Sequence, residues 1–128
     1  MDTAEDILRS ASGKDIIELI FKKFIYCLKK EIVGVYRIKN FKFRGKDLDG
    51  LLYEEKIYLE HYRARKYLTQ VLIHELSHYI FDNYRKSEKQ NEKIVCQLEM
   101  LLSEMFSERQ KAALSKFIPR HASNEVPK

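Results

Sequence analysis

A chain of 128 residues is enough for one hydrophobic core and too short for two ordinary domains. Its 45% hydrophobic and 12% aromatic content excludes a disordered chain, and two cysteines without a C-x-x-C pair exclude a disulfide framework. The net charge of +5 is uneven: residues 1–50 carry 11 basic and 8 acidic side chains, residues 51–108 carry 8 and 10, and residues 109–128 carry 5 and 1. That is weaker than the footprint of a dedicated nucleic-acid binder, although basic flanks keep nucleic acid within reach as a partner.

In chain order, residues 1–13 read as a loose start with one short helix, Ala4 to Ser10. Ser12 is placed to cap the next helix, with Asp15 completing a rough capping box. From Lys14 to about Ile32, apolar residues including Ile17, Phe21, Phe24 and Leu28 cover more than half the circumference, predicting a long core helix that Gly34 ends. Residues 33–43, rich in β-branched and aromatic residues, predict one or two strands, and residues 45–50 are turn chemistry. Leu51–Tyr53 and Lys56–Glu60 predict a hairpin around Glu54-Glu55, with Ile57 and Leu59 on one face. A buried helix is expected from Lys66 to about Tyr84, and a second from Gln90 to Phe106, with helical character continuing through Leu114. The expected organisation is one α+β domain over 14–114, with a basic flexible tail over 115–128. No apolar run approaches a membrane span, and the acidic N-terminus lacks the basic start of a secretory signal, so the expectation is a cytoplasmic protein.

The sequence that organises the rest is His74-Glu75-Leu76-Ser77-His78, the H-E-x-x-H pattern of zinc hydrolases. On a helix, His74 and His78 project from one face, one turn apart, so that two imidazoles can hold one ion. Glu75 lies about 100° around from His74 and about 60° from His78, beside the ion rather than on it. There it can take a proton from a water that the ion has made more acidic. The bland reading is a buried helix whose histidines are satisfied by hydrogen bonds. Against it, two His and one Glu stand at ligand spacing inside an otherwise apolar helix, where an unpaired charge is costly.

A catalytic zinc usually has three protein ligands and an open position. The third could be Cys, His or a carboxylate; after His78 the next histidine is His121, in the tail, which excludes an H-E-x-x-H-x-x-G-x-x-H arrangement. Glu92 and Glu99 lie two turns apart on almost the same face of the following helix. In an antiparallel pair of helices Glu92 falls nearer His78, and Glu99 about 10 Å further along. Both are open on this ground, each also readable as an ordinary solvated carboxylate.

With its motif helix preceded by strands and followed by Asn91-Glu92, the chain resembles a gluzincin-type H-E-x-x-H zinc metallopeptidase, either compact and ImmA/IrrE-like or minimal and thermolysin-like. The resemblance covers roughly residues 50–106. It implies a minimal zincin-like α+β domain: an N-terminal core helix, a small sheet, the motif helix and a ligand-bearing helix after it. It also implies one zinc per chain, held by His74, His78 and Glu92, with Glu99 the alternative. The chain departs from the family at Ser77, where Gly is common, and at Cys96, where thermolysin-like enzymes have an acidic residue behind the ligands.

The function expected is peptide-bond hydrolysis by a zinc-bound water that Glu75 activates, on a peptide or protein substrate. By residue type, His61, Tyr62 and Tyr84 are candidates for a second electrophile at the oxyanion or for substrate contact. The strand Lys56–Glu60 is a candidate for pairing with an extended peptide. The competing function is a non-catalytic module that keeps a metal for stability and engages a protein or nucleic acid through its basic flanks.

Overall fold

The computed structural model describes residues 11–39, 42–43, 46–61 and 64–122. The expected short helix Ala4–Ser10 lies outside the described residues, as does Tyr62. Helix α1 (Ala11–Lys29) is followed by strands β1 (Gly34–Ile38), β2 (Lys42–Phe43), β3 (Lys46–Asp47), β4 (Gly50–Tyr53) and β5 (Lys56–Glu60). Helices α2 (Arg65–Phe81), α3 (Glu88–Met105) and α4 (Glu108–Ser115) complete an α+β arrangement.

Several boundaries differ from the sequence expectation for local reasons. Helix α1 already includes Ala11, so Ser12 lies inside it rather than at its cap. Its end is made by Glu31, not Gly34. Glu31 adopts φ 56°, its N–H bonds the Leu28 carbonyl at 3.2 Å, and the Ile32 N–H bonds the Cys27 carbonyl at 2.9 Å. These are the two bonds of a Schellman motif, here without glycine. The turn chemistry expected over 45–50 contains a strand, β3, which pairs antiparallel with β2. Helix α2 stops at Phe81, before Tyr84. Ser87 caps α3 and Ser107 caps α4, each in a reciprocal box with the glutamine three residues on. The extended Phe106 between them (φ −66°, ψ 136°) divides what periodicity reads as one helix.

The three-stranded sheet has the order β1-β5-β4. Strand β5 runs parallel to β1 and antiparallel to β4, with Tyr58 opposite both Tyr36 and Leu51. Glu54 and Glu55, at φ 49° and 65°, form the tight turn of the β4–β5 hairpin. Because β5 is central, both of its edges are used. The expected role for Lys56–Glu60 in capturing a peptide is therefore excluded, and β4 is the outer strand on one side.

Period-two alternation sends Ile57 and Leu59 towards the helices, where both are fully buried, while Tyr58 joins Ile38 in a small cluster on the opposite face. The main core joins Phe24 and Leu28 of α1, Leu68, Leu72, Ile73 and Leu76 of α2, Leu102 of α3 and Leu114 of α4. Residues 115–120, expected in a flexible tail, pack onto this core. Ile118 is buried, Arg65 donates to the Ser115 carbonyl at 2.9 Å, and Arg37 donates to the Pro119 and Arg120 carbonyls at 3.4 and 3.3 Å. Among the described residues, no helix is long and apolar enough to cross a membrane.

Candidate metal centre

Helix α2 is buried on most of its circumference, and this fixes the motif side chains between the sheet and α3. Ser77 is fully buried and donates its hydroxyl to the Ile73 carbonyl at 2.7 Å, so a small side chain here leaves no unpaired polar group. The turn from α2 into α3 is held by Asn91. Its side chain accepts from the Asn83 N–H and donates to the Asn83 carbonyl, both at 3.0 Å. The residue after this clamp, Glu92, consequently faces the two motif histidines.

One carboxylate of Glu92 spans both imidazoles. Its Oε1 lies 2.9 Å from His74 Nε2 and its Oε2 lies 2.8 Å from His78 Nε2. The other ring nitrogens also meet carboxylates, with His74 Nδ1 3.0 Å from Glu99 and His78 Nδ1 2.7 Å from Asp82. Gln70 donates to the second oxygen of Glu99 at 2.9 Å. The two carboxylates that sequence reasoning left open thus occupy different positions: Glu92 faces the shared Nε2 side, and Glu99 stands behind His74.

The Cys96 thiol, one turn after Glu92, donates to Glu92 Oε1 at 3.3 Å. Ligand atoms of His74, Glu92 and Cys96 all lie within 4.8 Å of one another, a group that could hold a metal ion. Neither Asp82 nor Cys96 was named as a site residue from sequence. The signal available was spacing, since Asp82 follows His78 and Cys96 follows Glu92 by four residues, one helical turn.

Glu75 lies on the sheet side of the same cleft, against β4. Only 8% of it is exposed, and the backbone N–H of Leu52 in β4 bonds its carboxylate. Burial pushes its pKa up, outweighing the opposing pull of His74 and His78. For His74, burial lowers the pKa, but Glu99, Glu75 and Glu92 together raise it above the ordinary value. Burial likewise opposes ionisation of Glu92 and Glu99, yet their histidine partners and hydrogen bonds hold both below the usual carboxylate range. The Cys96 thiol is pushed up to about 11 by burial and by the Glu92 carboxylate beside it.

His74, Glu75, His78, Glu92 and Glu99 line a cleft of about 750 Å³ between β4 and helices α2 and α3. Its described lining includes six carboxylates, those of Asp49, Glu75, Asp82, Glu88, Glu92 and Glu99, and no Lys or Arg. Tyr67 reaches Asp49 across its wall with a 2.7 Å hydrogen bond. Of the expected oxyanion candidates, Tyr62 lies outside the described residues and the other two fall elsewhere. Tyr84 is 90% exposed beyond the end of α2, and neither it nor His61 lines the cleft. The His61 backbone is bonded to Ile38 and Arg37 beside the sheet.

Comparison of the chain with protein-family models, with curated proteins and with solved structures gave no match.

Proposed function

We propose that the chain is a zinc-dependent peptidase whose working residues are His74, Glu75, His78 and Glu92. One observation carries this reading: the Nε2 atoms of both motif histidines converge on one Glu92 carboxylate, while Glu99 and Asp82 occupy their Nδ1 atoms. A carboxylate on the far nitrogen fixes the tautomer and orientation of a metal-binding imidazole and leaves Nε2 to face the ion. The donor set of two imidazoles and one carboxylate suits zinc in a catalytic site, so the residues present fit the ion. When bound, zinc would supply Lewis acidity, making water more acidic and polarising a carbonyl oxygen.

The chain's own residues account for the rest. Glu75 is not bonded to the histidines, and its raised pKa makes it a better proton acceptor than an ordinary carboxylate. It takes the proton of the attacking water and delivers it to the leaving nitrogen. The Leu52 N–H holds its carboxylate at the cleft wall. The outer strand β4 runs along that wall and offers backbone groups to an extended peptide. Six lining carboxylates without a Lys or Arg favour peptides that carry basic side chains. The test is hydrolysis of a peptide library by the zinc-loaded chain beside its Glu75→Gln variant. Cleavage at equal rates by both would refute the reading.

A further inference from the structure

Two packed helices each present a pair of side chains of metal-ligand type one turn apart: His74 and His78 on α2, Glu92 and Cys96 on α3; His74, Glu92 and Cys96 form one ligand group, and His78 joins it through Glu92. Three of these residues were expected to hold a metal ion. The fourth, Cys96, lies outside the hydrophobic core, and its thiol is turned onto Glu92. Resting on the peptidase reading above, we propose that Cys96 is a fourth protein ligand of the same ion, which places the site in a closed, latent state.

The placement supports ligation rather than mere proximity. Two donors at zinc-ligand bond lengths from one ion stand no more than ~4.6 Å apart. The ligand atoms of Cys96, His74 and Glu92 lie within 4.8 Å of one another, close to that limit. Cys96 thus shares a ligand group with His74 and Glu92, and His78 meets the same Glu92 carboxylate at 2.8 Å. A neutral thiol is a poor ligand, but a bound cation deprotonates a coordinating thiol and its proton leaves to solvent. Thiolate, imidazole and carboxylate are all accepted by zinc, and a site with four protein ligands keeps no position for water. Cys96 would thus compete with the attacking water for one position. Cys27, the other cysteine, is buried in the core among α1 residues and does not compete for this role.

The experiment is loading of the full chain with Co(II), followed by near-ultraviolet and visible absorption, for the wild type, Cys96→Ser, and His74→Ala/His78→Ala. The expected result is one cobalt per chain with a thiolate-to-cobalt charge-transfer band in the wild type. Cys96→Ser should keep the cobalt and its visible bands but lose the near-ultraviolet band. Its zinc affinity should fall by more than the about 10–100-fold that loss of an outer hydrogen-bonding partner costs, and its hydrolytic rate should rise. A wild type that binds cobalt through the histidines without the charge-transfer band overturns the role of Cys96 and leaves the peptidase reading standing. Persistence of the band in Cys96→Ser does the same. Cobalt uptake that survives in the double histidine variant, or no uptake by the wild type, overturns the metal site and this inference together.

Discussion

Gly50 and Val71 leave no room for a methyl group between them. A Cβ on Gly50 would overlap Val71 Cγ1 and come within 3.6 Å of Glu75 Cγ. The outer strand β4 can therefore lie against the motif helix, with Glu75 bonded to Leu52, because position 50 has no side chain. Val71 is β-branched and stiff, so it cannot swing aside as a longer side chain would. Gly50→Ala should cost about 1–3 kcal/mol, the usual penalty for overpacking, and should lower hydrolysis by moving β4 away from Glu75. Thermal melts and rates measured on one preparation check this; a variant that matches the wild type in both contradicts the close approach.

The parts of this arrangement that were legible in sequence are those set by local periodicity. His74 and His78 face one way because four residues make one turn, and Ile57 and Leu59 face inward because strands alternate. The hairpin at Glu54-Glu55 was legible from its length, although two left-handed glutamates are an unusual way to make it. Sheet order was not legible. Nothing in residues 34–38 signals parallel pairing with residues 56–60, and that pairing is what moves β5 to the centre and β4 to the cleft. Residues 115–120 read as a tail because their sequence is short and basic; their order comes from tertiary bonds to Arg37 and Arg65.

Replacement of Glu75 by Gln should separate chemistry from binding. Gln keeps the shape but not the basicity, and loss of a general base commonly reduces rates by about 10²–10⁴-fold. Metal content should be unchanged. Stability should rise slightly at neutral pH in the metal-free protein. The folded pKa of Glu75 is raised, so its favourable contribution is present below the ordinary carboxylate value and is lost as pH rises through the folded value. Fluorimetric melts with chelator present would show this, and a less stable Gln variant would contradict the burial argument.

Above about pH 4.5, metal-free stability and metal affinity should respond oppositely to pH. His74 has a raised folded pKa, so its contribution is full below about 6.5 and is lost as pH rises through the folded value. Glu92 and Glu99 have lowered folded values, so theirs is present above about 4.5 and is lost as pH falls through those values. The site therefore supports the metal-free fold best between these limits. Zinc needs neutral imidazoles and should be released below about pH 6. Melts of metal-free and zinc-loaded protein across pH 4–8 would reveal the crossing trends; parallel curves would refute them.

The C-terminal segment should matter to folding rather than to zinc affinity directly. Ile118 is buried with Leu114 in the main core, so Ile118→Ala should cost about 2–5 kcal/mol. Ile118→Val, which removes a single methyl from the same site, should cost only about 0.5–1.5 kcal/mol. Equal destabilisation by the two changes would mean that the docking of residues 115–120 is not what holds this end.

The histidines assign different work to the two carboxylates of α3. Glu92 meets Nε2 of both rings, so Glu92→Ala removes a group common to His74 and His78 and leaves α2 as the main source of ligands. Glu99 meets Nδ1 of His74 alone and is itself held by Gln70, so Glu99→Ala frees the orientation of one ring without removing a ligand. Loss of such an outer partner typically lowers metal affinity about 10–100-fold. The expected order is therefore a larger loss of zinc affinity in Glu92→Ala than in Glu99→Ala, with Gln70→Ala milder than either. Competition against a chelator of known affinity would measure all three. An equal or greater loss in Glu99→Ala would place the ion on the Nδ1 side of His74 and exchange the roles of the two glutamates.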